Sequence, residues 1–341
     1  MRKLRVLVLC HPDLVPPDSR EGFSDKEAFE WKTEYDVVST LRESGHEVKT
    51  LGVQYDLAPI RDAIEEWKPD VVFNLLVEFH GQTVYGQNIA GFLELLRVPY
   101  TGCNPRGHVL SQGKDLSKKL VKYHRMPAPA FATFPIGRKV RRPAKLEFPL
   151  IVKSVLEDAS VGISQASVVH NDEQLAERVR FVHERIGTGA IAEQYIEGRE
   201  IYVGVLGNER LRALPIWELE FESLPPGALP IATERAKHNL EYQERRGVIQ
   251  GPAEGLPANV ETRLRDTAKR ICRVLEMDGY NRIDFRLTPE GVPYFIEANP
   301  NPEIARTEEF AQSALYDGLE YPDLLNRILS LAISRTGAEV E

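Results

Sequence analysis

The sequence predicts an α/β protein of two or three domains. Strand and helix patterns alternate through residues 1–108, which points to a parallel sheet covered by helices on both faces. At 341 residues the chain is too long for one simple core. Its 42% hydrophobic and 28% charged residues are those of a water-soluble globular protein.

In the first unit, residues 1–108, Leu4–Cys10 reads as a buried strand. Ala28, Trp31, Tyr35, Val38 and Leu41 recur at helical spacing and predict a helix over Lys26–Ser44, stopped by Gly45-His46. Glu47–Leu51 and Val71–Leu76 are strands, and Leu57–Trp67 and Asn88–Leu96 are helices. The second unit, residues 109–205, holds a helix at Lys114–His124 and another at Asp172–His183. Its strands are Ala130–Phe134, Leu150–Ser154, Ala190–Gln194 and Glu200–Leu206. The third unit, residues 206–341, contains an amphipathic helix over Val260–Met277. Its stretch from Glu222 to Gly255 is rich in Pro, Gly and charge and reads as a long functional loop.

Several function classes lack support. No apolar run is long enough for a membrane span. The basic, apolar N-terminus has no cleavage-site pattern and reads as a first strand rather than a signal peptide. Cys10, Cys103 and Cys272 have no metal-ligand spacing and fit a reducing cytoplasm. The net charge of −8 argues against a nucleic-acid partner. The basic run Arg138, Lys139, Arg141, Arg142 and Lys145 has no aromatic residue and reads as a solvated connection. There is no Gly-x-x-x-x-Gly-Lys-Ser/Thr loop, and Gly187-Thr-Gly189 follows a helix, so it reads as a helix stop rather than a dinucleotide fingerprint.

The chemistry is concentrated between Asp284 and Asn299. Two short strands joined by a Pro-Glu-Gly turn bring Asp284, Glu297 and Asn299 to one face, because residues two apart in a strand point the same way. Two carboxylates and a carboxamide suit Mg²⁺, a hard ion that shares its coordination with substrate phosphates. Arg282 shares the Asp284 face. It can stabilise developing anionic charge, form a salt bridge, or do both. Lys153 closes a buried strand and precedes Glu157-Asp-Ala-Ser-Val-Gly162. Backbone N–H groups there can cradle phosphate oxygens, although an ordinary edge lysine and loop explain the pattern equally well. Ala192-Glu-Gln-Tyr-Ile-Glu-Gly-Arg-Glu200 fits a crossing segment that meets adenine and ribose, or simply an acidic turn.

Taken in order, these motifs resemble the ATP-grasp superfamily, and within it the D-alanine–D-alanine ligase type. The likeness runs through Phe73-Asn-Leu-Leu…His80-Gly81 and Gly91-Phe-Leu-Glu-Leu-Leu-Arg-Val-Pro-Tyr-Thr-Gly102. It continues through Ser111-Gln-Gly-Lys-Asp-Leu-Ser-Lys118, Pro149-Leu-Ile-Val-Lys-Ser and Ser160-Val-Gly-Ile-Ser164. Glu193…Gly198-Arg-Glu200, Arg282-Ile-Asp284 and Glu297-Ala-Asn299 complete it. The resemblance implies an ATP-grasp fold of three α/β subdomains, with ATP in the cleft between the second and third. It implies an ADP-forming carboxylate–amine ligase acting through an acyl phosphate on small-molecule amino acid or carboxylate substrates.

By the same resemblance, Lys114, Lys153 and Ser160 contact ATP, Glu193, Gln194 and Ile196 border adenine, and Glu200 holds ribose. Arg282, Lys237 and Gly162 act at the transferring group. Asp284, Glu297 and Asn299 hold Mg²⁺, for which Mn²⁺ can substitute. A homodimer is common in this family. The alternatives are another ATP-grasp chemistry, glutamate-ligase or carboxylase-like, and a nucleotide-binding protein without activity. The family's Gly-Gly-x-Ser-x-Glu segment is replaced by Cys10-His-Pro-Asp, and its Asn-Thr-x-Pro-Gly-Met by Asn299-Pro-Asn-Pro-Glu-Ile304. Ala159 and His238 replace a serine and a tyrosine. The ATP side is kept and the amino-acid side is changed, so substrate contacts are expected near His11, Tyr85, His238 and Glu303 to Glu308.

Overall fold

The computed structural model describes residues 2–157, 161–234 and 240–337. The N-terminal layer contains β1 (Arg5–Cys10), α1 (Asp25–Glu30), α2 (Lys32–Glu43), β2 (Glu47–Gly52), α3 (Ala58–Trp67), β3 (Val71–Asn74) and α4 (Gly86–Leu95). Its parallel sheet has the order β2-β1-β3. Alternating residues explain the unbroken apolar run of β1. Val6 and Val8 pack towards α2, while Leu7 and Leu9 join Ile60 of α3 and Leu93 of α4 on the other face. The helix expected over Lys26–Ser44 is two helices, broken at Trp31 (φ −113°, ψ 21°). Trp31 is wedged between Phe23 and Tyr35, each at 5.4 Å between ring centroids, and a Ser24–Glu27 capping box fixes the start of α1. The apolar spacing continues through the break, so periodicity alone does not reveal it.

The middle part comprises α5 (Pro105–Gln112), α6 (Lys114–Tyr123), β4 (Phe131–Phe134), β5 (Leu150–Ser154), β6 (Val168–Val169), α7 (Asp172–Phe181) and β7 (Ala190–Gln194). The four strands pair antiparallel in the order β4-β7-β5-β6, and α7 covers them with Leu175 and Val179. Gly187, at φ +80°, ends the helical turn after α7, as expected for a helix stop.

The C-terminal part comprises β8 (Arg199–Leu206), β9 (Arg212–Phe221), α8 (Leu240–Arg246), β10 (Val248–Pro252), α9 (Ala258–Val274), β11 (Tyr280–Leu287), β12 (Pro293–Asn299), α10 (Glu309–Tyr316) and α11 (Tyr321–Gly337). Its antiparallel sheet has five strands in the order β10-β9-β8-β11-β12. Arg199–Leu206, grouped above with the middle unit, is therefore an interior strand of the C-terminal sheet. The stretch Glu222–Gly255 is not all loop, because it contains α8 and the edge strand β10. An edge strand has one unpaired side, tolerates Gly and Pro, and so leaves a weak pattern in the sequence. α9 buries Leu264, Ala268 and Ile271 against Val203, Ile283, Phe285 and Phe295. α11 returns to the first sheet and packs Leu324, Leu325 and Ile328 into the core that holds Val6, Val8 and Phe73. No described helix is long and apolar enough to cross a membrane.

Ile271 is fully buried in the α9 face. Ile271→Ala is expected to cost about 2–5 kcal/mol of stability through lost transfer energy and a residual cavity. The change should be read as a lower urea midpoint with an unchanged m-value; a loss below about 1 kcal/mol would place this face outside the main core.

Candidate active site

A cleft lies where the middle and C-terminal sheets meet, and Lys114, Lys153, Glu193, Gln194, Ile196, Glu200, Asp284 and Glu297 all line it. The strands explain the convergence. β5 carries Lys153 and β7 carries Glu193, and in their antiparallel pairing Ile151 stands opposite Glu193. The chain then crosses from β7 to β8 through Gln194–Gly198. This crossing needs a glycine: at Gly198 (φ +149°) a Cβ would stand 2.1 Å from the Leu287 carbonyl oxygen.

On the opposite wall, β11 and β12 pair with Asp284 facing Glu297 and Arg282 facing Asn299. Arg282 grips Asp284 with two bonds, Nε to Oδ1 at 2.8 Å and Nη2 to Oδ2 at 3.0 Å, and its other branch meets Glu309. Burial works against the Arg282 charge, but Asp284 and Glu309 outweigh it and hold the guanidinium pKa well above its ordinary value. Asn299 Nδ2 donates to Asp284 Oδ2 at 3.2 Å. Lys114 Nζ lies 3.4 Å from Glu297 Oε2 and donates to the Glu157 carbonyl at 2.7 Å. The salt bridge expected at Arg282–Asp284 is present; Asp284 lines the cleft, while Arg282 and Asn299 stand behind it.

The donor set of Asp284, Glu297 and Asn299 is all oxygen and converges across one strand pair, as a hard divalent cation requires. Two cationic side chains, Arg282 and Lys114, compensate the carboxylates in this structure. Among the described residues no group of three His, Cys, Asp or Glu could by itself hold a metal ion.

Glu200 is held by Arg286 Nη2 at 2.8 Å and by the Tyr202 hydroxyl at 3.0 Å. Arg286 also bonds the carbonyls of Gly198 and Pro230, so it locks the crossing segment to β11. The Gly162 N–H donates to the Glu234 carboxylate at 2.8 Å, and Arg178 holds the Gly162 carbonyl. This N–H therefore donates to an anionic oxygen, as the N–H groups of a phosphate-binding loop do. Ser160, Lys237, Ala159 and His238 lie outside the described residues.

Sequence reasoning did not assign roles to Lys118 and Arg286. Lys118 is fully buried, with Nζ 2.9 Å from Glu193 Oε1 and a bond to the Ile296 carbonyl, while Lys153 Nζ stands 3.5 Å from Glu193 Oε2. Burial opposes the Glu193 charge, yet Lys118 and Lys153 outweigh it and hold this carboxyl below its usual range. Burial pulls the Lys118 pKa down further than Glu193 lifts it. Both residues were legible by spacing: Lys118 lies one helical turn beyond Lys114, and Arg286 two residues beyond Asp284 on the same strand.

Lys118→Met leaves the buried Glu193 with Lys153 alone. It is expected to cost about 3–5 kcal/mol, as for other buried pairs broken from one side. Lys118→Met combined with Glu193→Leu should recover most of that loss in urea unfolding. A double variant no more stable than the single one would show that the pair is not the source.

Residues 120–330 match the family model described as D-ala D-ala ligase C-terminus. A protein of Sinorhizobium fredii, y4sG, is 32% identical over 310 residues, covering 88% of this chain and 87% of the relative. A D-alanine–D-alanine ligase of Desulfotalea psychrophila is 30% identical over 271 residues, covering 78% and 79%. The D-alanine–D-alanine ligase of Bacillus anthracis complexed with ATP superposes with a TM-score of 0.76 at 22% identity, covering 99% of this chain and 100% of that one. The VanG D-Ala:D-Ser ligase of Enterococcus faecalis gives 0.70 at 20% identity, covering 97% and 100%. The chain belongs to the D-alanine–D-alanine ligase family and is an ATP-dependent carboxylate–amine ligase of the ATP-grasp fold.

Proposed function

We propose that the cleft between β5–β7 and β11–β12 is the ATP site and that the reaction runs in two displacements. First, a substrate carboxylate oxygen bonds to the γ-phosphorus of ATP. The bond from that phosphorus to the β–γ bridging oxygen breaks, and ADP leaves. Second, a neutral amine nitrogen bonds to the acyl carbon. The bond from that carbon to the phosphate oxygen breaks, phosphate departs with the electron pair, and the amine loses a proton. The observation that carries this reading is that Lys153 and Glu193 face Asp284 and Glu297 across one cleft.

In this reading the segment Gln194–Ile196 borders adenine, with Glu193 held ionised beneath it by Lys118 and Lys153. Glu200, oriented by Arg286 and Tyr202, accepts the ribose hydroxyls. Lys114 and Lys153 bring positive charge to the phosphates, and the Gly162 N–H donates to a phosphate oxygen in place of Glu234. Asp284, Glu297 and Asn299 would hold Mg²⁺, or Mn²⁺ in its place, which supplies Lewis-acid neutralisation of the phosphate charge. Arg282, fixed by Asp284 and Glu309, directs its charge at the transferring group. The protein contributes mainly position and charge.

The three free, buried cysteines and the acidic balance support a cytoplasmic enzyme that acts on small molecules rather than nucleic acid. The homodimer common in the family is the assembly we infer. The altered residues on the amino-acid side favour substrates other than two D-alanines.

Glu297→Gln keeps the shape of the β12 side chain and removes its charge. It is expected to lower ATP turnover at least about a hundredfold, the loss typical of removing one electrostatic contact of a transition state, with an unchanged circular dichroism spectrum. Near-normal turnover would count against the metal assignment. Product analysis by chromatography should find ADP and phosphate; AMP would exclude an acyl phosphate.

A further inference from the structure

The turn that carries Gly162 is held from behind. Gly162 stands at φ +69°, and a Cβ there would lie 2.6 Å from Ile186 Cδ1, so the turn needs glycine. The buried Arg178 donates to the Gly162 carbonyl. Its guanidinium also donates to the Ser167 hydroxyl oxygen at 2.8 Å and lies 4.1 Å from the Phe181 ring centroid. The Gly162 N–H is therefore a donor with a set direction, the arrangement in which a backbone N–H takes an anion. Val161 and Ile163, on either side of it, line the ATP cleft.

The anion on this donor comes from the protein's own chain. Residues 222–234 run as a strap from the end of β9 to the middle sheet, and Ile231 and Ala232 line the same cleft. Glu234, at the end of the strap, places its carboxylate 2.8 Å from the Gly162 nitrogen. Tying the strap down does not require this bond. The Gln165 amide donates to and accepts from the Leu229 backbone, both at 2.9 Å. The Glu234 N–H donates to the Ile163 carbonyl at 3.1 Å, and Arg286 holds the Pro230 carbonyl at 2.6 Å. Ile231 adds an apolar anchor, packed with Ile151, Val168 and Tyr195. Glu234 itself is exposed, where a charged contact adds little stability. What distinguishes it is chemistry: a full negative charge rests on the donor that a phosphate oxygen would use.

We propose that Glu234 is an internal stand-in for the phosphate chain of the nucleotide and sets how tightly the enzyme holds ligands that reach this loop. The inference rests on the ATP reading of the cleft and adds a competitor to it. One N–H donates fully to one anionic oxygen, and a second anion beside it is repelled. A phosphate oxygen must therefore displace the carboxylate. The loop is competent only for the fraction of time that Glu234 is away, and the apparent affinity falls by that fraction. Adenosine, bound along Gln194–Ile196 and Glu200, makes no such exchange. When phosphate departs, the carboxylate retakes the N–H.

Calorimetry on the whole protein with Mg²⁺ tests this with three probes: the β,γ-methylene analogue of ATP, adenosine, and inorganic tripolyphosphate. Glu234→Ala should bind the ATP analogue and tripolyphosphate at least about fivefold tighter than the unaltered protein, with adenosine within about twofold. Glu234→Asp keeps the charge but is one methylene short of Gly162, and should gain at least about threefold with the same two probes. No gain in Glu234→Ala, or an equal gain for adenosine, overturns the stand-in. A gain in Glu234→Ala with none in Glu234→Asp also overturns it, because charge acting at a distance would then suffice. If the unaltered protein binds the ATP analogue and adenosine and both variants match it, the ATP reading stands and this inference falls. A gain for tripolyphosphate in a protein that binds neither the ATP analogue nor adenosine upholds the exchange at the loop and sinks the ATP reading.

Discussion

In the antiparallel ladder between β11 and β12, Asp284 faces Glu297 and Arg282 faces Asn299, and the register shifts only after Asp284. Side chains alternate between the faces of a strand, so a slip of one residue would send one carboxylate into the apolar core under α9 and leave the other in the cleft. The core fixes the register. Ile283, Phe285 and Phe295 are fully buried on the side opposite the charges, packed against Leu264, Ala268 and Ile271. The hydrophobic pattern of these strands therefore sets the geometry of the oxygen donors, and every charge-bearing neighbour is arranged around it.

A chain of buried charge ties that ladder to the opposite wall. Glu193 on β7 meets Lys118 and Lys153; Lys118 bonds the Ile296 carbonyl, next to Glu297; and Glu297 meets Lys114, one turn back on α6. Buried pairs seldom add stability over apolar side chains of the same volume, because desolvation offsets their attraction. Their presence here is better explained by position. A single helix, α6, sends one lysine to each wall, so both walls of the cleft are positioned by the same rigid element. Preorganised charge of this kind favours a reaction whose barrier is mostly electrostatic.

Much of this was legible in the sequence. The alternation of Val6, Val8 with Leu7, Leu9 gave the buried parallel strand, and the spacing of two between Arg282 and Asp284, and between Glu297 and Asn299, placed four polar groups on one face. What escaped has physical reasons. The kink at Trp31 keeps helical spacing on both sides, so only the packing of Phe23 and Tyr35 shows it. β10 is an edge strand whose Gly251 and Pro252 disguise it, and its partner is distant in sequence. The spacing puts Lys118 one helical turn beyond Lys114, but its role shows only when its carboxylate partner, Glu193, is brought in from far along the chain.

Two of the departures from the resembled pattern lie on segments that meet in the fold. Cys10-His-Pro-Asp replaces the segment after β1, and Pro300-Asn-Pro-Glu-Ile304 replaces the segment after β12; they are far apart in sequence. In the fold the end of β1 and the loop after β12 converge on α2, where Glu34 is felt by Cys10 and feels Glu303. Random loss of function would leave the altered positions unrelated in space and would erode the cleft as readily as its surroundings. Here the oxygen trio, its arginine and the lysines of both walls stand together, while these two changed segments both reach α2. Glu308 and Glu309 stand between the two regions, the first on Lys32 and the second on Arg282. Charge held in place on both walls, beside a surface built from separate segments, lets a partner substrate change without a change of chemistry.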